Sequence, residues 1–542
     1  MSKQVDQTFG DTGNRHGMVA LHGEGEAQRN RLLRRVDWRF LAGKPNPRCA
    51  MVQGDGMLAE ALELVSGEVC ITYAATPGSA DLVALINPNQ AELERAWQAM
   101  EPGGALYGEW YVPLPGRPMV LQRRLEQVGF LVAGSYWPWP WPERATTAFW
   151  LPLEAPGALH FFLKNRPPAQ SLISKALRPA LQLAWRAGQK TGMLAPVCMV
   201  AHKPLASGET RLPPGSLAAR ATSWGLAEPG ESLSWLLLTG GLHSTNKVTS
   251  LVFQDGESEP SYVIKMPRRE LSLPSLEREA TALHVIHSNH AQPLPGVPEL
   301  VFLDSEEGFP AIGETYLAGA PLYTHIQPER VEDLAHQATR WLLELVESGP
   351  PQPPDFWWGR LVGPMLDEFI QGYAAVGGRE VLEAARPEID RLGSLPLAVE
   401  HGDFSPWNIF LTTSGDLSVL DWEGAEPRGM PLSDLVYFLA YLTFFAEGAL
   451  ETGTAPDAYR RLLDPDSRMG AIAKDCFREY CAGAGLPVEA LRPLRLLTWL
   501  RRAVLEHRLI DNSSTDSPEP QLLGRGLNWS LLRTELEMNT GE

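Results

Sequence analysis

The sequence predicts an α/β front domain joined to an α+β domain that opens on an antiparallel meander and closes in helices. From Arg48 to about Leu153, apolar runs such as "RCAMVQGDG", "EVCITYA" and "ADLVALINP" alternate with helical patterns, as strands separated by helices do. Three strand-like runs then follow one another, "SWLLLTGG", "KVTSLVFQ" and "SYVIKMPR", with the turn-rich "DGESEP" before the last. Beyond Ala320 the pattern is helical except around "VEHGDFSPWNIFL". A chain of 542 residues exceeds what one core usually holds, so several structural units are expected.

Taken in order, residues 1–34 read as a polar tail without a charged segment leading into an apolar one, so not as a signal peptide. The basic cluster Arg29 to Arg35 reads as a solvated helix face. Residues 35–153 form the α/β segment, with a helix from Gln90 to Met100. "SYWPWPWPERA" cannot be a central strand, because proline lacks the ladder donor. Residues 154–230 read as a helical connector, with an amphipathic helix from about Ser171 to Gly192 and a Gly/Pro/Ser-rich stretch after Leu205. Residues 231–320 hold the meander, a helix from Ser275 to His287, and two further strands in "PELVFLD" and "PAIGETYL". Residues 321–542 complete a helical part.

Composition narrows the function classes. With 65 acidic against 47 basic residues and a formal charge of -18, the surface should repel nucleic acid and anionic lipid. Five cysteines without C-x-x-C spacing point to reduced thiols and a cytoplasmic location. The most apolar run, "LVYFLAYLTFFAEGAL", is broken by Glu447 and is too short to span a membrane.

Chemistry concentrates in "VEHGDFSPWNIFL". Asp403 stands two residues after His401, Asn408 five further on, and "SGDLSVLDWEGAEP" supplies a turn and a strand that ends at Asp421. A loop and the hairpin leaving it can bring these three to one end of a small ribbon. Two oxygen ligands and one further carboxylate are what phosphoryl transfer needs, because Mg²⁺ prefers carboxylate and amide oxygens together with phosphates.

"HGDFSPWN" keeps the H-x-D-x-x-x-x-N spacing of the protein-kinase catalytic loop. With "VLDWE" placing its aspartate thirteen residues beyond the asparagine, the chain resembles the aminoglycoside phosphotransferase and choline kinase family. That resemblance implies a bilobal, protein-kinase-like fold from residue 231 onward, with ATP, Mg²⁺ and a small hydroxyl-bearing acceptor such as a sugar, amino-sugar or amino alcohol. By the resemblance Asp403 is the catalytic base, Asn408 and Asp421 are metal ligands, Glu423 assists at the metal, and His401 braces the loop. It also asks for a lysine on the third strand and a helical glutamate, which Lys265 in "YVIKM" and Glu279 in "LEREATAL" supply. In "TGGLHSTNK", Gly240 and Gly241 permit close approach to phosphates, with Ser244 or Asn246 as contacts. "GETYLAGAPL" resembles the interlobe hinge, where backbone near Tyr316 and Leu317 would meet adenine.

The front half invites a second resemblance. "MVQGDGMLAEAL", "AWQAMEPGGALYGEWY" and "LEQVGFLVAGSYW" are similar to class I S-adenosylmethionine-dependent methyltransferases with a Rossmann-type sheet. The glycine motif is reduced to Gly54-Asp55-Gly56, and "EVCITYAA" ends without the acid that would hold a ribose. A degenerate domain that presents substrate or binds a protein partner is therefore favoured over a bifunctional methyltransferase and kinase, and intact Lys265, Glu279, Asp403, Asn408 and Asp421 argue against a scaffold in which both halves are inactive.

Overall fold

The computed structural model describes residues 24–54, 56–71, 77–111, 117–139, 141–142, 147–164, 196–228, 230–239, 247–269, 272–290, 292–305, 308–511 and 523–538. Gly240, Gly241, Ser244 and Asn246, and the helix expected near residues 171–192, lie outside them. The chain divides into two compact units, the first holding Ala27–Leu276 and Leu300–Tyr316, the second Glu277–Glu299 and Leu317–Glu542.

The first unit is organised by one twelve-stranded sheet. Its front strands are β1 (Cys49–Gln53), β2 (Glu68–Ile71), β3 (Ala80–Ile86), β4 (Met100–Trp110), β5 (Leu131–Trp139), β6 (Phe149–Pro152) and β7 (Val197–His202). Then come β8 (Leu233–Thr239), β9 (Lys247–Gln254), β10 (Tyr262–Pro267), β11 (Leu300–Asp304) and β12 (Ala311–Thr315). The spatial order is β11-β12-β10-β9-β8-β6-β5-β7-β4-β3-β1-β2, so β5 is an interior strand and its end, "SYWPW", is strand against expectation; pairing with β7 stops at Tyr136, so Pro138 faces a partner only in β6, opposite Trp150. Strands β2, β1, β3 and β4 run parallel, and β7 enters antiparallel between β4 and β5. The expected meander is present as β8-β9-β10, antiparallel throughout. Phe149 opposite Leu238 and Trp150 opposite Leu237 carry the sheet without a break from the front segment into the meander.

Side-chain alternation explains why so wide a sheet is stable. Ala50, Val52, Leu82, Ala84, Leu237 and Val252 join one buried cluster, whereas Met51, Val83, Leu85, Leu236, Leu238 and Leu251 join another. Neighbours along a strand point to opposite faces, so each face has its own core, and both cores run under front strands and meander strands alike.

Helix α1 (Glu24–Arg35) precedes β1, and α2 (Gly56–Glu63), α3 (Gln90–Ala99), α4 (Arg117–Val128), α5 (Pro156–Lys164) and α6 (Leu217–Ser223) lie between successive strands. Helix α3 starts on a capping box in which Asn89 and Glu92 exchange side-chain and backbone bonds. Helix α1 occupies the end of the stretch expected to be a tail, and its basic cluster divides: Arg29 and Arg31 are exposed as expected, whereas Arg34 and Arg35 are buried. Arg35 is fully buried and meets Glu109 through both carboxylate oxygens, at 2.6 and 2.9 Å. Just beyond α1, Asp37 bonds Arg268, the residue after β10, at 2.8 and 3.2 Å. Arg39 donates to the Arg268 carbonyl at 2.8 Å, and all three side chains are buried. A charge this deep is stable only when paired and hydrogen-bonded, which makes the triad a specific clasp between α1 and β10.

The boundary between units falls inside helix α7 (Leu273–Ser288). The second unit contains α8 (Val331–Leu343), α9 (Gly363–Tyr373), α10 (Gly378–Ile389), α11 (Ser433–Glu447), α12 (Ala455–Leu463), α13 (Arg468–Ala484), α14 (Leu491–Asp511) and α15 (Leu527–Glu537). Short strands β13 (Ala320–Pro321), β14 (Ala398–Glu400), β15 (Ile409–Leu411), β16 (Leu417–Val419) and β17 (Glu426–Gly429) lie among them. Among the described residues, no helix is long and apolar enough to cross a membrane. Helix α11, the apolar run noted above, is instead the buried axis of this unit, with Ser433 through Phe444 all buried.

Candidate active site

The ribbon of β15 and β16 sets the geometry. Ile409 faces Val419, and the Leu420 N–H extends the pairing by donating to the Asn408 carbonyl at 2.9 Å. Asp421 therefore leaves the ribbon beside Asn408. Asp403 is tied to the same end, because Asn408 Nδ2 donates to its Oδ2 at 2.8 Å and to its backbone carbonyl at 3.0 Å. The Trp407 indole N–H approaches that Oδ2 at 3.4 Å. The structure thus gathers the three residues as their spacing suggested. Asp421 holds a left-handed backbone, φ 67° and ψ 65°, a costly conformation for a side chain with a Cβ and one that clusters at functional sites.

Two groups hold the loop from beneath. His401 is buried, accepts the Asp403 N–H on Nδ1 at 3.1 Å, and meets the Leu420 carbonyl through Nε2 at 3.0 Å. That pair of partners assigns the proton to Nε2. Burial pulls its pKa down to about 4, so the ring is neutral and braces the loop. Asp434, in the first turn of α11, accepts the His401 N–H at 2.6 Å and the Gly402 N–H at 3.1 Å. Burial pushes its carboxyl upward, and the nearby Glu400 charge adds to this. Gly402 has φ +79°, and a Cβ there would stand 2.1 Å from the Gly424 carbonyl oxygen, so the close approach of the two loops requires glycine.

Asp403 faces a cation that sequence reasoning did not find. Arg502 on α14 places Nη1 3.5 Å from Asp403 Oδ1, and its guanidinium lies over the Tyr437 ring at 3.4 Å. Partial enclosure raises the Asp403 pKa, and Arg502 opposes that rise. Nothing within "TWLRRAVLEHRL" separates Arg502 from the arginines around it.

In the first unit, Lys265 Nζ pairs with Glu314 of β12 at 2.8 Å. Sequence reading missed Glu314, although its place two residues from Ile312, the strand partner of Lys265, puts it on the same face. In the second unit, Glu279 accepts the Trp422 N–H at 3.1 Å, one residue beyond Asp421. Tyr316 donates its backbone N–H to the Ser261 carbonyl at 3.0 Å, and Leu317 is half-buried in the segment before β13. Trp407 packs edge-on against Tyr441.

The donor chemistry suits Mg²⁺. With its amide nitrogen committed to Asp403, Asn408 has its carbonyl oxygen left to coordinate, and Asp421 adds a carboxylate; Mg²⁺ takes few protein oxygens and completes its shell with water and phosphate.

This carboxylate loop lies in the helical unit beside a β-ribbon. Residues 245–469 match the phosphotransferase enzyme family, so the C-terminal half carries a domain of that family. A curated relative, acyl-CoA dehydrogenase family member 10 of Mus musculus, is 27% identical over 276 residues, 46% of this chain. The match spans a quarter of that relative's length. Solved structures that resemble the chain include an aminoglycoside phosphotransferase from Streptomyces rimosus, with 14% identity and TM-score 0.32, covering 54% of this chain and 98% of that one. An ethanolamine kinase from Plasmodium vivax matches at 14% identity and TM-score 0.35, covering 57% and 84%. A choline kinase from Streptococcus pneumoniae matches at 13% identity and TM-score 0.36, covering 59% and 96%.

Proposed function

We infer that the chain is an ATP- and Mg²⁺-dependent phosphotransferase that moves the γ-phosphoryl group to a hydroxyl of a small molecule. The observation that carries this reading is the carboxylate of Asp403, fixed on one oxygen by Asn408 and open along 30% of its side chain. In the reaction Asp403 accepts the acceptor hydroxyl's hydrogen bond and orients the oxygen for in-line attack, taking its proton as the new bond forms. Asn408 and Asp421 hold the metal, which neutralises charge on the phosphates. Lys265 is the residue assigned to nucleotide phosphate and Glu279 is the helical glutamate such a site asks for, while the phosphate contacts expected of Gly240, Gly241 and Ser244 fall outside the described residues. Backbone near Tyr316 and Leu317 meets the adenine. Positioning and charge neutralisation supply most of the rate.

For the front segment a methyltransferase-like descent is supported by the strand order, four parallel strands followed by an antiparallel β7 between β4 and β5. S-adenosylmethionine has no support. Gly54 is accounted for by packing, since a Cβ there would lie 2.7 Å from the Ile86 side chain. Its sheet continues into the meander, which favours a role in supporting the nucleotide-binding strands.

The test is ATP turnover with Mg²⁺ across sugars, aminoglycosides, amino alcohols and hydroxy acids. Native turnover that Asp403→Asn abolishes supports the reading, and turnover that survives the substitution rejects it.

A further inference from the structure

The two oxygens of Asp403 face different surroundings. Oδ2 belongs to Asn408 and Trp407, Oδ1 faces Arg502 at 3.5 Å, and the Tyr437 hydroxyl also stands against this carboxylate. Asn408 and Arg502 therefore meet different oxygens of the same carboxylate, so the oxygen nearer Arg502 is not the one that Asn408 holds. The Arg502 side chain is only 12% exposed. The face of Tyr437 and the charge of Asp403 explain where the guanidinium rests. They leave its donors unused, because 3.5 Å is an ion-pair distance rather than a good hydrogen bond, and among the described residues no acceptor bonds Arg502. Its other charged neighbour, Asp434, already holds two backbone N–H groups. A five-donor fork, nearly enclosed and without hydrogen bonds, is matched by an oxyanion brought in by a ligand.

The neighbouring charges point the same way. Acidic residues of α9 could recommend a cationic acceptor, yet Glu368 is held by Arg508 through two bonds of 2.5 and 2.6 Å. Glu400, behind the loop, is likewise taken by Arg501. Glu368 and Glu400 are thus paired, Asp367 of α9 is exposed to solvent, and the arginine beside the catalytic loop is not hydrogen-bonded.

We propose that Arg502 binds an anionic group of the acceptor, so that the substrate is a hydroxyl compound carrying a carboxylate or phosphate near the hydroxyl that Asp403 orients. This rests on the phosphotransfer reading and names its substrate class. The anion docks on the Arg502 fork, which leaves Asp403 Oδ1 to take the hydroxyl hydrogen. The acceptor oxygen then forms its bond to the γ-phosphorus as the bond to the β-phosphate oxygen breaks and ADP leaves, with the hydroxyl proton passing to Asp403.

The experiment uses the full chain with Mg-ATP and matched acceptors, glycerate against glycerol and gluconate against glucose, with ethanolamine as a cationic control. Ligand-observed NMR with Mg-ADP reads binding of the same compounds without turnover. The acids should exceed their neutral partners by roughly ten- to a hundredfold in kcat/KM, the worth of one charge-assisted bond. Arg502→Met should erase that ratio, and Arg502→Lys, which keeps charge but loses the fork, should retain part of it and guards against a folding artefact. Preference for neutral or cationic members, an acid preference that Arg502→Met leaves intact, or failure of every acid to bind each overturn the proposal. The phosphotransfer reading fails separately, if Asp403→Asn leaves turnover untouched.

Discussion

Replacing Asp434 by alanine removes the one side chain that holds both N–H groups at the start of the catalytic loop. The two bonds, 2.6 Å to His401 and 3.1 Å to Gly402, are buried, so truncation leaves two donors without acceptors. Each orphaned buried donor costs roughly 1–3 kcal/mol, part of which is offset because a carboxylate next to Glu400 is no longer held in a poor environment. The expected net loss is about 3 kcal/mol. Asp434→Asn keeps one acceptor oxygen and should lose about half as much. Because the loop carries Asp403, a shift on the order of 1 Å should lower turnover by about a hundredfold in the alanine variant, even where it remains folded. Urea denaturation followed by tryptophan fluorescence gives the stability, and Mg-ATP turnover gives the rate. An alanine variant within about 0.5 kcal/mol of native, with full turnover, would refute the bracing argument.

Other consequences can be checked with the same two assays. Asp37→Ala leaves Arg39 and Arg268 buried without their carboxylate and should destabilise the first unit by about 3–5 kcal/mol, whereas an exposed pair such as Lys164–Glu259 should change by less than about 1. Gly402→Ala meets the Gly424 carbonyl and a left-handed backbone together, and should cost more than the roughly 1 kcal/mol of the backbone alone; a neutral effect in denaturation would contradict the close approach. His401 is buried neutral, with a pKa of about 4 against about 6.5 when unfolded, so the unfolded chain binds the extra proton between those values. Its contribution is fully present above about pH 6.5 and is lost as pH falls toward 4, a slope that His401→Gln should flatten in a stability-against-pH titration.

Local spacing made the centre of the site readable. His401, Asp403 and Asn408 are fixed by one loop, and Asp421 by the hairpin that leaves it, so order along the chain translates directly into proximity. The meander was equally legible, because its strands pair with their sequence neighbours. What escaped reading depends on long separations. Arg502 reaches Asp403 from 99 residues away, and Arg35 finds Glu109 across 74, so one arginine of a cluster expected to be solvated is instead a buried anchor. The join of β6 to β8 was hidden for a related reason: β7 and the segments around it intervene in sequence, and the periodicity of a strand does not say which edge it will meet. Arginine and glutamate have the same local signature on a surface as in a buried pair, and only the partner distinguishes them.

The most direct test of the account is Mg-ATP turnover by the native chain and by Asp403→Asn, on whichever hydroxyl acceptor the panel identifies. The account predicts phosphorylated acceptor and ADP in equal amounts from the native chain, and a loss of at least about a hundredfold from the variant with its fold intact. Equal rates from the two proteins would contradict it.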